Sequence, residues 1–313
     1  MNKMPAVSVI VLVYKVEEYI ERCARSLFGQ TLEDIEYIII DDCSPDGSME
    51  ILERVLEEYP QRQGQVKVLH NKTNRGQAYS RRRGVEAATG DYIIHCDSDD
   101  YVEKDIYEKL YSKAKAENLD MVICQVQLVY PDYTEPSPDI LGSSDVLGAL
   151  IRQDVYDYLC NKLVTRKAYE IGIVYPEYNM CEDSAMLIQL AANCSSFGYL
   201  YDTLYNYVIR ENSISHSENT QEKIDQMKEN YNLAFSCLEA KGLARKHRHD
   251  IATLKCWLKS ACQNLPRDYY MSLYPEVNFT FLFNRHFTVM QRLGHLTHIL
   301  GIHGVSKKFS RKK

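Results

Sequence analysis

The sequence predicts an α/β fold: a mostly parallel sheet flanked by helices, followed by a helical C-terminal region. Three observations lead there. Continuous β-branched runs of strand length alternate with helix-period apolar stripes through residues 7–125. Acidic residues cluster where the strands should end. Beyond about residue 217 only helical spacing continues, broken at Gly242 and Pro266.

The elements follow in order. Val7–Val13 is an unbroken apolar run, as a strand buried on both faces requires. From about Glu17 a helix carries Ile20, Cys23, Ala24 and Leu27 on one stripe. Tyr37–Ile40 is the second strand. The turn Ser44-Pro45-Asp46-Gly47 leads into a helix with Ile51, Leu52, Val55, Leu56 and Tyr59 inward. Val66–Leu69 is a third strand, Gly76–Thr89 a helix, Tyr92–His95 a fourth strand, Asp105–Glu117 a helix and Met121–Gln125 a fifth strand. A polar loop with Pro131, Pro136 and Pro138 follows. Segments 143–160 and 182–194 read as helices, and Ser196–Tyr201 and Leu204–Tyr207 as two short strands. A soft boundary near 215 divides a catalytic domain, 1–215, from a helical region, 216–313.

Composition excludes some functions. Thirty-seven basic against 43 acidic residues give a net charge of −6, unlike a general nucleic-acid binder. Ten cysteines are scattered with no CxxC pair, so free thiols in a reducing cytoplasm are expected, with no zinc site. No signal peptide is read before the first strand, and no apolar run reaches the ~18 residues of a membrane span.

The positions of the acids carry the functional signal. Strand two ends in Asp41-Asp42 and strand four in Asp97-Ser98-Asp99-Asp100, while strand one ends in Val13-Tyr14-Lys15. The carboxyl ends of parallel strands share one edge, where ligands bind. Asp97 and Asp99, two apart in an extended segment, point to one side. Such a pair suits a hard divalent cation such as Mn²⁺ or Mg²⁺. On spacing alone a charged loop with Asp99 or Asp100 as a helix cap serves as well; the strand-edge position favours the cation. Between these strands, Asn74 can cap the helix opening at Gly76, whose N-terminus favours anions. Lys72, Arg75, Arg81, Arg82 and Arg83 surround it with positive charge, although consecutive helical residues cannot all face one pocket.

At this point the chain resembles the family 2 glycosyltransferases, which have a GT-A-like, Rossmann-type fold. The resembling segments are VSVIVLVYK (7–15), YIIIDDCSPDGS (37–48), NRGQAYSRRRG (74–84), GDYIIHCDSDDYV (90–102), CNKL (160–163), CEDSAMLIQL (181–190) and YNYVIRENSIS (205–215), in family order. The resemblance implies donor contacts at Val13, Tyr14, Asp41, Asp42, Asn74, Gly76, Arg81, Asp97, Ser98, Arg210 and Ser213. It implies a metal at the DxD acids, Asp97 and Asp99, with His216 as a further candidate ligand. It makes Asp183 the catalytic base, oriented by Glu182; without it, Glu182-Asp183 reads as an acidic pair at a helix N-terminus. Three departures stand out: Leu12 and Lys15 where the family often has P-x-Y-N, Arg82 for asparagine in A-R-N-x-G, and Cys43 where Gly or Asn is usual.

The implied reaction is an inverting transfer from a nucleotide diphosphate sugar, with UDP expected, to a hydroxyl of a glycan or lipid-linked acceptor. A nucleotidyltransferase is the rival enzyme, but no glycine-rich loop follows strand one. A non-catalytic nucleotide-sugar binder is the other rival; it would be favoured by loss of the metal or base acids, and both are present. The basic tail, with Lys307, Lys308, Arg311, Lys312 and Lys313, suggests contact with the inner face of the cell membrane; a helical cap with a solvated tail is the alternative.

Overall fold

The computed structural model describes residues 4–138, 142–210 and 219–302. Its N-terminal half runs β1 (Val7–Val13), α1 (Ile20–Phe28), β2 (Ile35–Asp41), α2 (Ser48–Glu57), β3 (Val66–His70), α3 (Gln77–Ala87), β4 (Tyr92–Asp97), β5 (Tyr101–Val102), α4 (Ile106–Glu117), β6 (Met121–Val129) and β7 (Thr134–Pro136). Next come α5 (Val146–Arg152), β8 (Lys162–Thr165), α6 (Arg166–Glu170), α7 (Glu182–Asn193) and β9 (Phe197–Val208). The remainder is helical: α8 (Gln221–Ala240), α9 (Arg248–Ala261), α10 (Arg267–Ser272), α11 (Thr280–Phe283) and α12 (Val289–Ile299).

The strands form one sheet, in the order β3-β2-β1-β4-β8-β6-β9-β5, with β7 pairing onto β6. The long pairings, β3–β2–β1–β4 and β6–β9, are parallel. The antiparallel ones are short, and β8 uses them to join β4 to β6. The mostly parallel, helix-flanked sheet is the one the sequence predicts. Alternation splits β1 between two layers. Val7, Val9, Val11 and Val13 pack with Ile20 and Leu27 of α1 on one face. Ile10 joins the other layer, which holds Leu187 of α7, Phe235 of α8 and Leu254 of α9. Gly84 lets α3 lie close on the sheet, since a Cβ there would come within 2.4 Å of Ile10 Cγ2.

Several elements differ from expectation. The helix expected over 143–160 is only Val146–Arg152, because Gln153 turns left-handed (φ 61°) and ends it. The two strands expected at 196–207 are one strand, β9, whose bulge beside Gln125 absorbs Tyr201 and Asp202. Strands β5, β7 and β8 have two to four residues each, too short to show a period.

Candidate active site

The register sets the site. Across β1, Leu12 pairs with Asp97 and Val13 with Asp41. At about 4.8 Å per strand, the two acids sit roughly 10 Å apart on one sheet edge. The loops leaving β1 and β2 both pass through left-handed residues, Lys15 (φ 54°) and Cys43 (φ 59°). These are positions where the resembling family has Asn and Gly or Asn, the residues that tolerate this conformation. Tyr14, next to Lys15, is exposed.

Asp41 accepts from the Ser44 N–H (2.8 Å) and lies 2.9 Å from His70 Nδ1. Asp42 is buried and committed to its own loop. It accepts from Asn71 Nδ2 (2.6 Å) and from the backbone N–H groups of Arg75 and Gly76 (both 2.8 Å). Asn74 does not cap α3. The N-cap is Gly76, at φ 82°, and a Cβ there would strike Asn179, 2.5 Å away. A residue about a hundred positions later supplies the cap: Asn179 Oδ1 accepts from the Ala78 N–H at 3.1 Å.

The acids after β4 divide their tasks. Asp100 is buried and accepts from the Tyr205 hydroxyl (2.7 Å) and the Val208 N–H (2.8 Å), bracing the loop against β9. The Ser98 hydroxyl turns inward to the Leu12 carbonyl at 2.6 Å. Asp97 and Asp99 remain for the cleft. Burial pushes the Asp97 carboxyl up to about 7; Asp99 and Asp183 add to the rise, and Arg81 and Arg210 oppose it. Asp99 pairs with Arg210, whose guanidinium also lies 5.1 Å from the Tyr19 ring centroid. Two oxygen donors in a charge-crowded, partly buried position fit a hard divalent cation.

Residues far along the chain complete the edge. Cys181, left-handed at φ 57°, starts α7. Glu182 points inward at 0% exposure and accepts three hydrogen bonds from Arg81, at 2.9–3.1 Å. Burial works against the Arg81 charge, but Glu182, Asp183 and Asp97 outweigh it and raise its pKa above the usual arginine value. Arg81 is itself 3% exposed, so it ties α3 to α7 rather than presenting its guanidinium to a ligand. Asp183 is 34% exposed and lies 3.9 Å from Arg81. Arg82 pairs outward with Glu86, and Arg83 bonds the His70 carbonyl and Asn71.

Asp157 joins this group without a sequence signal. It accepts from the Ser184 hydroxyl, and burial, with Asp183 adding to it, pushes its carboxyl up to about 6. Its loop is anchored by Lys162, 0% exposed, whose Nζ donates to the carbonyls of Tyr156 (2.7 Å) and Tyr158 (2.8 Å) and to Asn161 Oδ1 (2.6 Å). Tyr156, Tyr158 and Tyr207 stack at 4.9 and 5.0 Å alongside. A buried lysine in the CNKL run was the only available hint of this loop. Ser213, His216 and the basic tail lie outside the described residues.

Two other features do not belong to this edge. A cavity of about 600 Å³ lies at the opposite end of the strands, lined by Met4, Asp34, Glu36 and Lys67 among others. Asp145, His247 and Asp250 bring ligand-type atoms within 4.8 Å of one another between α5 and α9. There Arg152 already bonds Asp250 at 2.7 Å, which makes the cluster an ion-pair network between helices. All ten cysteines are free.

Comparison with known proteins agrees with this geometry. Residues 8–171 match the family described as glycosyl transferase family 2. A putative glycosyltransferase of Bacillus subtilis, EpsH, is 33% identical over 67% of this chain, a stretch spanning 62% of that relative. Among solved structures, residues 1–349 of Staphylococcus aureus TarS with UDP-GlcNAc superpose with a TM-score of 0.70 at 18% identity, covering 97% of this chain and 90% of that one. A Pyrobaculum calidifontis mannosyltransferase with GDP-Man and Mn²⁺ gives 0.58 at 14% identity, covering 96% and 87%. These likenesses establish the GT-A fold.

Proposed function

The chain belongs to glycosyl transferase family 2, and on that premise we propose that it moves a sugar from a nucleotide diphosphate donor, a UDP-sugar in the first instance, to a glycan or lipid-linked acceptor hydroxyl, with inversion. The reading rests on one observation. The charges of Asp99 and Asp183 both act on Asp97, so acids from opposite ends of the catalytic sequence share one cleft. The complexes of TarS with UDP-GlcNAc and of the mannosyltransferase with GDP-Man and Mn²⁺ support the donor class and the cation. The catalytic unit is 1–215, with 216–313 an appended helical region.

The donor base and ribose lie against Val13, Tyr14 and Asp41, with Asp42, Asn74 and Gly76 shaping the wall behind them. Asp97 and Asp99 would hold Mn²⁺ or Mg²⁺, which supplies charge neutralisation for the diphosphate. Asp183, partly exposed at the start of α7, takes the proton from the acceptor hydroxyl. The acceptor oxygen bonds to the anomeric carbon from the face opposite the nucleotide. The bond from that carbon to the diphosphate oxygen breaks, and its electron pair leaves with the diphosphate. Arg210, now on Asp99, turns to the departing phosphate oxygens; Ser213, outside the described residues, is a further donor contact that the family resemblance implies. Buried Arg81 and Glu182 keep Asp183 at its station, and Asp157 with Ser184 borders the acceptor side.

General base catalysis of this kind contributes about 10²–10⁴-fold. Asp183→Asn should therefore lose that factor in transfer while binding UDP and Mn²⁺ as the wild type does. Transfer at the wild-type rate would remove Asp183 as the base.

A further inference from the structure

Helix α12 is inside out. Its buried face carries Gly294, His295 and His298. His295 stacks on Phe281 at 4.2 Å and sets its Nε2 2.7 Å from the Asn278 carbonyl; the His298 ring lies 4.2 Å from that of Tyr270. Its outer face carries Val289 (62% exposed), Met290 (48%) and Leu293 (45%), with Leu300 (61%) just past its end. At 100° per residue, Val289, Leu293 and Leu300 fall within about 40° of one another, a continuous apolar stripe. Phe279 and Phe283, at 73% and 80%, stand exposed at the two ends of α11, just before it. A helix that buries histidines and exposes leucine and valine has its apolar stripe available to something other than this domain's core.

Charge says what that something is. From Val277 to Lys313 there is no Asp or Glu, and there are seven Lys and Arg residues. The remainder of the chain holds the other thirty basic residues against all forty-three acidic ones. The apolar stripe therefore sits in an acid-free, cationic stretch of an acidic protein. A second copy meeting this face two-fold would bring like charges together. An anionic lipid surface satisfies both features: the interface takes up the apolar side chains while the headgroups meet the arginines and lysines. No described helix is long and apolar enough to cross a membrane, which suits contact in the plane of the surface.

We propose that α12, with Phe279 and Phe283, docks the enzyme on an anionic membrane surface. The inference is independent of the transfer reading, because it concerns residues outside the cleft and is tested without donor.

The experiment is co-sedimentation of the full chain with vesicles of phosphatidylcholine alone or with 30% phosphatidylserine. Binding should be at least tenfold stronger with the anionic lipid and should weaken in 0.5 M NaCl. Phe283→Glu/Leu293→Glu, both exposed positions, should lose at least tenfold in binding while keeping the wild-type melting temperature. Equal pelleting with both vesicle types, or undiminished binding by the double variant, overturns the proposal. So does a wild-type dimer in solution that the same substitutions dissolve, because the face would then cover a second copy.

Discussion

The buried Arg81–Glu182 pair gives the sharpest test of how α7 is held. Both side chains are nearly sealed, at 3% and 0% exposure, and three hydrogen bonds join them. Removing one partner of such a pair leaves a buried charge and costs about 3–5 kcal/mol. Glu182→Leu should fall at the low end, about 3 kcal/mol, since Asp183, 3.9 Å away, and Asp97 still compensate Arg81. Arg81→Met should cost more near neutral pH, because two adjacent acids lose their counter-charge. Its cost should also depend on pH. Burial pushes the Glu182 carboxyl up, and without Arg81 that rise is unopposed. A group with a raised folded pKa penalises the fold only above its unfolded pKa, about 4.3 for glutamate. The Arg81→Met protein should thus approach wild-type stability at pH 4 and lose ground as the pH climbs through the folded value. The double variant Arg81→Met/Glu182→Leu replaces ions by apolar groups and should be within about 1 kcal/mol of wild type. Urea denaturation of the four proteins at pH 4.5 and 7.5 measures all of this. Activity should not follow stability: with Arg81 gone, Asp183 loses its neighbour, and kcat in the double variant should fall at least tenfold with donor KM little changed. Additive single costs, or a double variant with full kcat, would refute the positioning role.

Three further outcomes are expected. Asp157→Asn removes a carboxyl held up at about 6, whose ionisation penalises the fold above the unfolded aspartate pKa; the variant should gain on the order of 1–2 kcal/mol over wild type at pH 7.5 and little at pH 4 in urea titrations. An equal gain at both pH values would point to packing instead. Arg210→Ala frees Asp99 of its guanidinium partner, so calorimetry should find Mn²⁺ bound several-fold more tightly without nucleotide, and UDP more weakly; unchanged Mn²⁺ affinity would separate Arg210 from the cation's position. Cys43→Gly relieves a left-handed cysteine at φ 59° and should add about 0.5–1 kcal/mol by thermal unfolding, the strain relieved less the freedom a glycine gains in the unfolded chain. No gain would mean the turn is unstrained.

Much of the sheet was legible because its signal is local. Val7–Val13 reads as a buried strand from its own residues, and strand ends placed Asp41 and Asp97 on one edge before any geometry was known. What escaped depends on partners distant in the chain. Nothing beside Arg81 announces Glu182, a hundred residues later, so a positive charge near an implied nucleotide read as a ligand contact. Asp42 and Asp100 stand in the acid clusters at the strand ends, and each gives its oxygens to backbone N–H groups and nearby side chains, a use that composition cannot distinguish from ligand binding. Asn74 looked like a cap because capping propensity is local, whereas Asn179 arrives from another loop. In α12 the period was readable but not its sense. Apolar spacing says that a helix has two faces, and only packing says that this one turns histidines inward.

The charges in the cleft explain why its acids are arranged in this unbalanced way. Among the described residues, Asp97, Asp99, Asp157, Glu182 and Asp183 interact there with Arg81 and Arg210, aided at longer range by Lys162 near Asp157. Glu182 and Arg81 neutralise each other, and Arg210 answers Asp99. Asp183 lies 3.9 Å from an Arg81 already engaged by Glu182, while Asp97 and Asp157 have no ion-pair partner among the described residues, and these two respond by holding protons more tightly than usual. A structural cluster would gain by replacing such acids with amides, since unbalanced buried charge is costly. A site holding a divalent cation would gain by keeping them, because Asp97 and Asp99 would hold that cation and it would offset the surplus. The same surplus leaves Asp183, partly exposed, beside Asp97 and Glu182. The stability sacrificed at Asp157 and Asp97 and the negative charge that a bound cation would meet there are therefore two consequences of one charge imbalance. Amide substitutions at the first two positions should then raise stability and lower transfer together.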